Sequence, residues 1–340
     1  MTEHDKPTTP FPSFVNAQEV ADRAGVSRSA VSRAFTPGAS IAHETRVKVM
    51  EAAEQLGYEV NDLARGLLAR RSQLVGLIVT EPEQGFRAHL VSALTRSLIQ
   101  RGRLPVVLNT GRRAEEIAAA QKLLVGYRAE ATIVLSGSPP SSVVELARRN
   151  GQPLILIGRS EAGADHIRSR NRDAATQAAE LFHKAGFTRL GLASSTSGTP
   201  SVVEREEAFV AAALGYGITV SIARGDNTDY AGGRMAATAM LAQAAPQAVF
   251  CINDLIAFGF IDRMRECGIA VPLDISVIGF DDIPEASWAA YDLTTFRQDP
   301  EVLAAQAMAL LEHRLAHPHA PPETIEITAP LVLRGSVRTA

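Results

Sequence analysis

Residues 16–35 read NAQEVADRAGVSRSAVSRAF, and residues 45–68 continue as TRVKVMEAAEQLGYEVNDLARGLL. Asn16 with Glu19 three residues on has the form of a capping box, with Asn in place of Ser or Thr. It opens a helix whose Val20, Ala21 and Ala24 share one face. Gly25 breaks that helix, and Ser27 caps a second one running to about Phe35, with Val31 and Ala34 inward. Thr36-Pro37-Gly38 ends it. A third helix carries Val49, Ala52, Ala53 and Leu56 at i, i+3, i+4 and i+7, with Gly57 in the left-handed position after its end. Each helix is too short to stand alone, so the three must pack together. Two short helices joined at a glycine form a helix-turn-helix of the kind that lays its second helix in the DNA major groove.

On that second helix Arg28 and Ser29 are the exposed positions near the N-terminus, and Arg33 lies one turn on. Those positions meet base edges when such a helix enters the groove, and an arginine there can bridge O6 and N7 of a guanine. Ser27 and Ser32 are placed to reach phosphates. Net charge adds nothing to this reading. The chain is formally −3, and residues 15–71 hold eight Arg or Lys against seven Asp or Glu. The case rests on where the arginines sit.

At 340 residues the chain exceeds one ordinary core. Apolar residues at 46% and charged residues at 21% are normal for a soluble globular protein, and no apolar run can span a bilayer. The opening MTEHDKPTTPFPSF (1–14) has no apolar core and reads as a disordered lead-in, not a secretory signal. Two cysteines, Cys251 and Cys267, are too few for a disulfide framework or zinc cage, so a reducing cytoplasm is expected. From Leu74 the texture changes. LVGLIV, LPVVLN, ATIVL and PLILI read as buried parallel strands between helices, and after Asn171 the pattern restarts with RLGLA, ITVSI, QAVFC and ISVIG. A doubly wound α/β repeat occurring twice implies two similar lobes with a cleft between them. A late helix from about Asp299 to Leu315 and two end strands, ETIEIT and LVLR, follow; their lobes are not assignable from sequence.

Residues 15 to about 336 resemble the lactose-repressor (LacI-type) family of bacterial transcription factors. The resemblance is carried by VADRAGVSRSAVSRAF, TRVKVMEAAEQLGYEVN and LARGL, then by IRSRN, REEAF, INDLIAFG, VPLDISVIGFDDIPEASW and LTTFRQ, in family order. It implies a helix-turn-helix head over residues 15–60, a hinge helix and linker over 61–72, and a two-lobed sensor over 73–340. That sensor is related to periplasmic binding proteins and contains two doubly wound parallel sheets, with the chain changing lobes near 170 and 297. The family's hinge helix inserts a leucine into the minor groove. Leu67 matches it, with Asn61, Ala64 and Arg65 as further DNA-contact positions; an apolar wedge there unstacks a base step and kinks the duplex. Gly66 should leave this hinge floppy without DNA.

The resemblance also implies a ligand held between the lobes by Phe86, Ser136, Ser201, Arg205, Asn253 and Asp281. Thr80 and Gln298 are further candidates, and Trp288 belongs either to the cleft or to core or lobe-interface packing. Arginine and asparagine donate, aspartate accepts and a ring offers a face to C–H groups, which suits a carbohydrate. Two departures stand out: Gly158 where many relatives carry an acid, followed by Arg159, and Asn227 where some carry an aromatic residue. Losing the acid while keeping Arg159 and Arg205 favours a sugar acid or sugar phosphate. As turn and cap residues, Asp281 and Asn253 also have ordinary structural uses.

An enzyme is the rival class, yet no dinucleotide or P-loop fingerprint, nucleophile elbow or H-E-x-x-H is present, and no cofactor or metal is expected. His317-Pro318-His319 reads as a solvated loop. The expected partners are pseudo-palindromic operator DNA, a small carbohydrate or sugar-acid effector, and a second copy of the chain, with no membrane. No leucine heptad follows LVLRGSVRTA, so a dimer is expected. Repression is the default the family implies, with ligand-dependent activation or co-repression as the alternative.

Overall fold

The computed structural model describes residues 14–36, 38–60, 72–111, 113–135, 141–158, 163–242 and 245–338. Two compact units divide near residue 72. In the first, α1 (Ala17–Ala24), α2 (Arg28–Ala34) and α3 (His43–Leu56) enclose Val20, Ala21, Val31, Ala34, Val49, Ala52 and Ala53. The capping box is formed: the Asn16 side chain accepts from the Gln18 and Glu19 amides, and Glu19 reaches back to the Asn16 amide. Gly25 and Gly57 both end their helices at φ 65°, which a side chain would resist. Phe35 meets Tyr58 edge to face at 5.6 Å, and Arg46 donates to the Ala34 and Ala39 carbonyls, satisfying the end of α2.

The second unit holds two sheets. β1 (Leu74–Val79), β2 (Leu104–Asn109), β3 (Ala131–Leu135), β4 (Leu154–Ile157), β5 (Asp165–Ser169) and β11 (Thr324–Ile327) form an all-parallel sheet ordered β2-β1-β3-β4-β5-β11. β6 (Arg189–Ser195), β7 (Thr219–Gly225), β8 (Ala248–Cys251), β9 (Ser276–Asp281), β10 (Thr294–Arg297) and β12 (Leu331–Val332) repeat the order as β7-β6-β8-β9-β10-β12, with only β12 antiparallel. Helices α4 (Gly85–Gln100), α5 (Ala114–Gly126) and α6 (Ser141–Arg149) belong to the first lobe. α7 (Asn171–Lys184), α8 (Pro200–Gly215), α9 (Tyr230–Leu241) and α10 (Asp254–Glu266) belong to the second. The late helix, α11 (Pro300–Ala316), returns to the first lobe, where Leu303, Ala307, Met308 and Leu311 join the core of Val75, Leu77, Leu94 and Ile133.

Three readings need correction. The end strands go to different lobes, so the chain changes lobe a third time, between Ile327 and Leu331. LPVVLN and ITVSI are not the fully buried strands expected: β2 and β7 are edge strands, Leu104 and Val107 are 54% and 40% exposed, and of ITVSI only Ile218 is buried. An edge strand has a neighbour on one side only, which an apolar run does not reveal. Each sheet also gains a fifth strand, β5 or β10, that the pattern missed. DHIRS and TTFR are four or five residues long and largely polar, and each runs directly into a lobe crossing.

A DNA-reading head and an interlobe cleft

In the head, α2 buries Ala30, Val31 and Ala34 and exposes Arg28, Ser29, Ser32 and Arg33 on its other side. The Ser27 hydroxyl oxygen accepts from the Ala30 amide at 3.2 Å and lies 2.9 Å from Ser29 Oγ, so it is engaged as a cap. Arg33 Nε donates to the Ser29 carbonyl at 3.4 Å, a long bond that leaves its guanidinium in solvent. Asn61, Ala64, Arg65 and Leu67, assigned to the hinge, lie outside the described residues, as do Ser136 and Arg159.

The two sheets present their carboxyl ends to one another, where open α/β sheets bind ligands. Val79 is in register with Asn109 and Leu135, and Ser195 with Gly225, so the loops after β1 and β6 face a cavity of about 270 Å³. Its walls bring together Phe86, Ser201, Arg205, Asn253 and Asp281, with Thr80 and Gln298. A smaller hollow of about 100 Å³ shares Phe86, Arg87, Ser201, Arg205 and Gln298 with it and runs on to Gly158, Arg168 and Ser169, making the other half of one cleft.

Arg205 is only 6% exposed. Its guanidinium carbon sits 3.4 Å above the Phe280 ring, Nε donates to Asn171 Oδ1 at 2.8 Å and Nη1 to the Ile252 carbonyl at 2.6 Å. Phe280 is held in turn by Phe296 at 6.0 Å. Burial lowers the Arg205 pKa to about 10 against the opposing charges of Asp281, Glu204 and Asp254, so it stays cationic at neutral pH.

Asp281 has φ 131° and Asp282 φ 56°, both costly for a residue with a side chain. The turn is held because Arg297 Nε and Arg334 Nη2 each donate to Asp282 at 2.6 Å. Asp281 itself accepts from Gln298 Nε2 at 2.6 Å, and Gln298 Oε1 accepts from Ser169 Oγ at 2.6 Å. This bonded series joins the end of β5 in the first lobe to the end of β9 in the second. Burial raises the Asp281 pKa, with Arg205 and Gln298 pulling the other way. Asp254 beneath it accepts from Thr295 Oγ1 at 2.6 Å and the Ile283 amide at 3.0 Å; burial and then the Asp281 charge raise its pKa too.

Asn253 lines the cavity but is structurally committed. Its Oδ1 caps α10 through the Ile256 amide, and its Nδ2 donates to the Thr228 carbonyl at 2.8 Å. Trp288 lines neither half and is 55% exposed, in neither the cleft nor the core. It follows the short 3-10 turn Pro284–Ser287, which carries the ring outward. Sequence reasoning missed Arg87, Arg168, Asp254 and the hydroxyls of Ser197 and Thr199. The density of Ser and Thr in SSTSGTPS (194–201) was a signal for the last two.

Residues 16–61 match the model of the lacI family of bacterial regulatory proteins, and residues 179–337 that of a periplasmic binding protein-like domain. The chain joins a lacI-family helix-turn-helix head to a periplasmic binding protein-like domain. The HTH-type transcriptional repressor PurR of Actinobacillus pleuropneumoniae serotype 3 (strain JL03) is 28% identical over 328 residues, covering 94% of this chain and 98% of that one. The fold matches the lac repressor dimer bound to operator and the anti-inducer ONPF, with a TM-score of 0.85 at 24% identity over 95% of this chain and 99% of that chain. It also matches the transcriptional regulator CelR in complex with cellobiose, with a TM-score of 0.70 at 26% identity over 95% and 99%. These relatives are transcriptional regulators, not enzymes, and this chain shares their pairing of a lacI-type head with a binding-protein-like domain. No described helix is long and apolar enough to cross a membrane.

Proposed function

We propose that this chain is a cytoplasmic, homodimeric repressor whose grip on a pseudo-palindromic operator is set by a sugar or sugar derivative held between its lobes. The observation that carries the reading is the cleft, where Phe86 of one lobe and Arg205 and Asp281 of the other face the same space. A ligand touching both walls has a different affinity for open and closed arrangements, and that difference is all that can shift operator affinity. In the head, Arg28, Ser29 and Arg33 read bases, and Ser27 and Ser32 meet phosphates. The hinge positions Asn61, Ala64, Arg65 and Leu67 complete the DNA surface as a minor-groove wedge.

A carbohydrate suits this lining better than a flat base, because Phe86 is the one aromatic side chain among the described wall residues of either half. The likeness to PurR favours a purine-related ligand as the second reading. Thermal unfolding of the full chain against sugars, sugar derivatives and purines separates them. A ligand at about 100 times its Kd stabilises by roughly 2.7 kcal/mol, and the same compound must then change operator affinity in a fluorescence anisotropy titration. A purine that stabilises while every sugar fails would replace the first reading by the second.

A further inference from the structure

Three consecutive residues at the amino end of α4 reach from the first lobe to the second. Gly85 lies directly beneath the Leu255 side chain at the start of α10: a Cβ built on Gly85 would stand 2.9 Å from Leu255 Cδ1 and 3.2 Å from its Cγ. Glycine lets the two helix starts approach this closely, and its φ of 50° is one that a side chain would also resist. Phe86 follows, half-buried, and packs against the hydrophobic cores of both lobes, while Leu255 packs against that of the second. Arg87, held by Glu81 at 3.0 Å, is near enough for its charge to act on Asp281.

These contacts are separate from the places where the chain changes lobe. Gly85 and Leu255 line the larger half of the cleft and not the smaller, whereas Ser169 and Asn171, at the first crossing, line the smaller and not the larger. The crossings stay close however the lobes move, because the chain is continuous there, and the Ser169–Gln298–Asp281 series adds polar bonds beside them. Gly85 and Leu255 are far apart in sequence, so packing, not chain connection, holds them together. Leu255 also reaches across from a fixed base, since its neighbour Asn253 caps α10 through the Ile256 amide and ties it to the Thr228 carbonyl.

We infer that Gly85, Phe86 and Leu255 form an apolar clasp across the larger half of the cleft, which sets how readily the lobes part and, through that balance, how tightly the head holds DNA. The link to DNA rests on the proposed function; the clasp itself does not. It gives the lobes a bias made of the protein's own side chains. A compound entering the larger half must wait for the clasp to open, and its differential affinity then acts on an equilibrium whose starting point the clasp has set. The contact is also adjustable from either side by a few methyl groups, without touching Phe86, Arg205, Asn253 or Asp281.

The test is a double-mutant cycle in the full chain: wild type, Gly85→Ala, Leu255→Ala and the pair. Opening is read from backbone amide hydrogen exchange at residues 80–87 and 253–257, with no compound added. Leu255→Ala should speed exchange there about fivefold or more, because the shortened side chain no longer spans to α4. Gly85→Ala should speed it as well, by wedging a methyl group against Leu255. In the double variant that methyl group has no leucine to meet, so its effect should largely vanish. Backbone strain at residue 85 is common to both backgrounds, so the non-additivity isolates the contact. Additive effects, or no acceleration in Leu255→Ala, would overturn the clasp. So would equal acceleration in β3 and β8, the mark of lost global stability. DNA binding is measured on the same four proteins by anisotropy, with a duplex that wild type selects from a randomised pool. Affinities should follow the order of opening, about fivefold apart at the extremes. Constant DNA affinity beside a cycle that behaves as expected would overturn the clasp's hold on DNA binding. A wild type that selects no duplex would overturn the proposed function and that coupling with it, while the exchange cycle still decides the clasp.

Discussion

Arg205 and Asp281 face one cavity, and each serves the fold as well as the site. Arg205→Ala removes a stacked guanidinium and strands Asn171 Oδ1 and the Ile252 carbonyl. A loss of about 3 kcal/mol of stability is expected beside the loss of ligand response, read from urea unfolding of wild type and variant. A variant as stable as wild type would show that the second lobe does not lean on this side chain. The buried aspartates give a pH signature. Asp281 is raised to about 6 and Asp254 to about 8 by burial, so the folded state keeps protons that the unfolded chain releases near pH 4. Stability from these groups is therefore full below pH 4 and lost as pH rises through 6 and then 8. The urea midpoint should fall between pH 5 and 8.5, and Asp254→Asn should flatten that fall; an equally steep fall in the variant would acquit Asp254. Residue identities in the cleft were legible as motifs, but commitments were not. Nothing in INDLIAFG shows that both ends of the Asn253 amide are used in capping and tying down a loop.

The head was the most legible element because its three helices carry their own punctuation: Asn16, Gly25, Ser27 and Gly57 each stand where a helix begins or ends. Arg28→Ala and Arg33→Ala should each weaken operator binding and relax the preference at particular base pairs, each contact giving about 1–3 kcal/mol of discrimination. Competition among operator variants measures this, and an unchanged ranking would dismiss α2 as the reading helix. Ser27→Ala should cost about 1 kcal/mol of head stability through the lost cap. The sheets were legible in part. Strands flanked on both sides write long apolar runs, as in LVGLIV and ATIVL. β5 and β10 do not, because short strands entering a lobe crossing carry the polar groups that face the cleft.

For the whole molecule, linkage makes a symmetric demand. Whatever factor the ligand applies to operator affinity, the operator must apply to ligand affinity. Two titrations, each saturated in the other partner, should return the same factor, and unequal factors would mean that the two sites do not communicate through one equilibrium. The two-lobed plan was legible because its strand pattern occurs twice, but the third lobe change was not, since ETIEIT and LVLR carry no sign of which sheet they join. That path reorders the molecule's birth. Residues 171–297 supply five of the six strands of the second lobe in one uninterrupted stretch, while the first lobe cannot close its core until Leu303 to Leu311 arrive. On the ribosome, where folding follows emergence, the head comes first, five strands of the lobe encoded later are made before the lobe encoded earlier can close its core, and β12 joins the later lobe last of all.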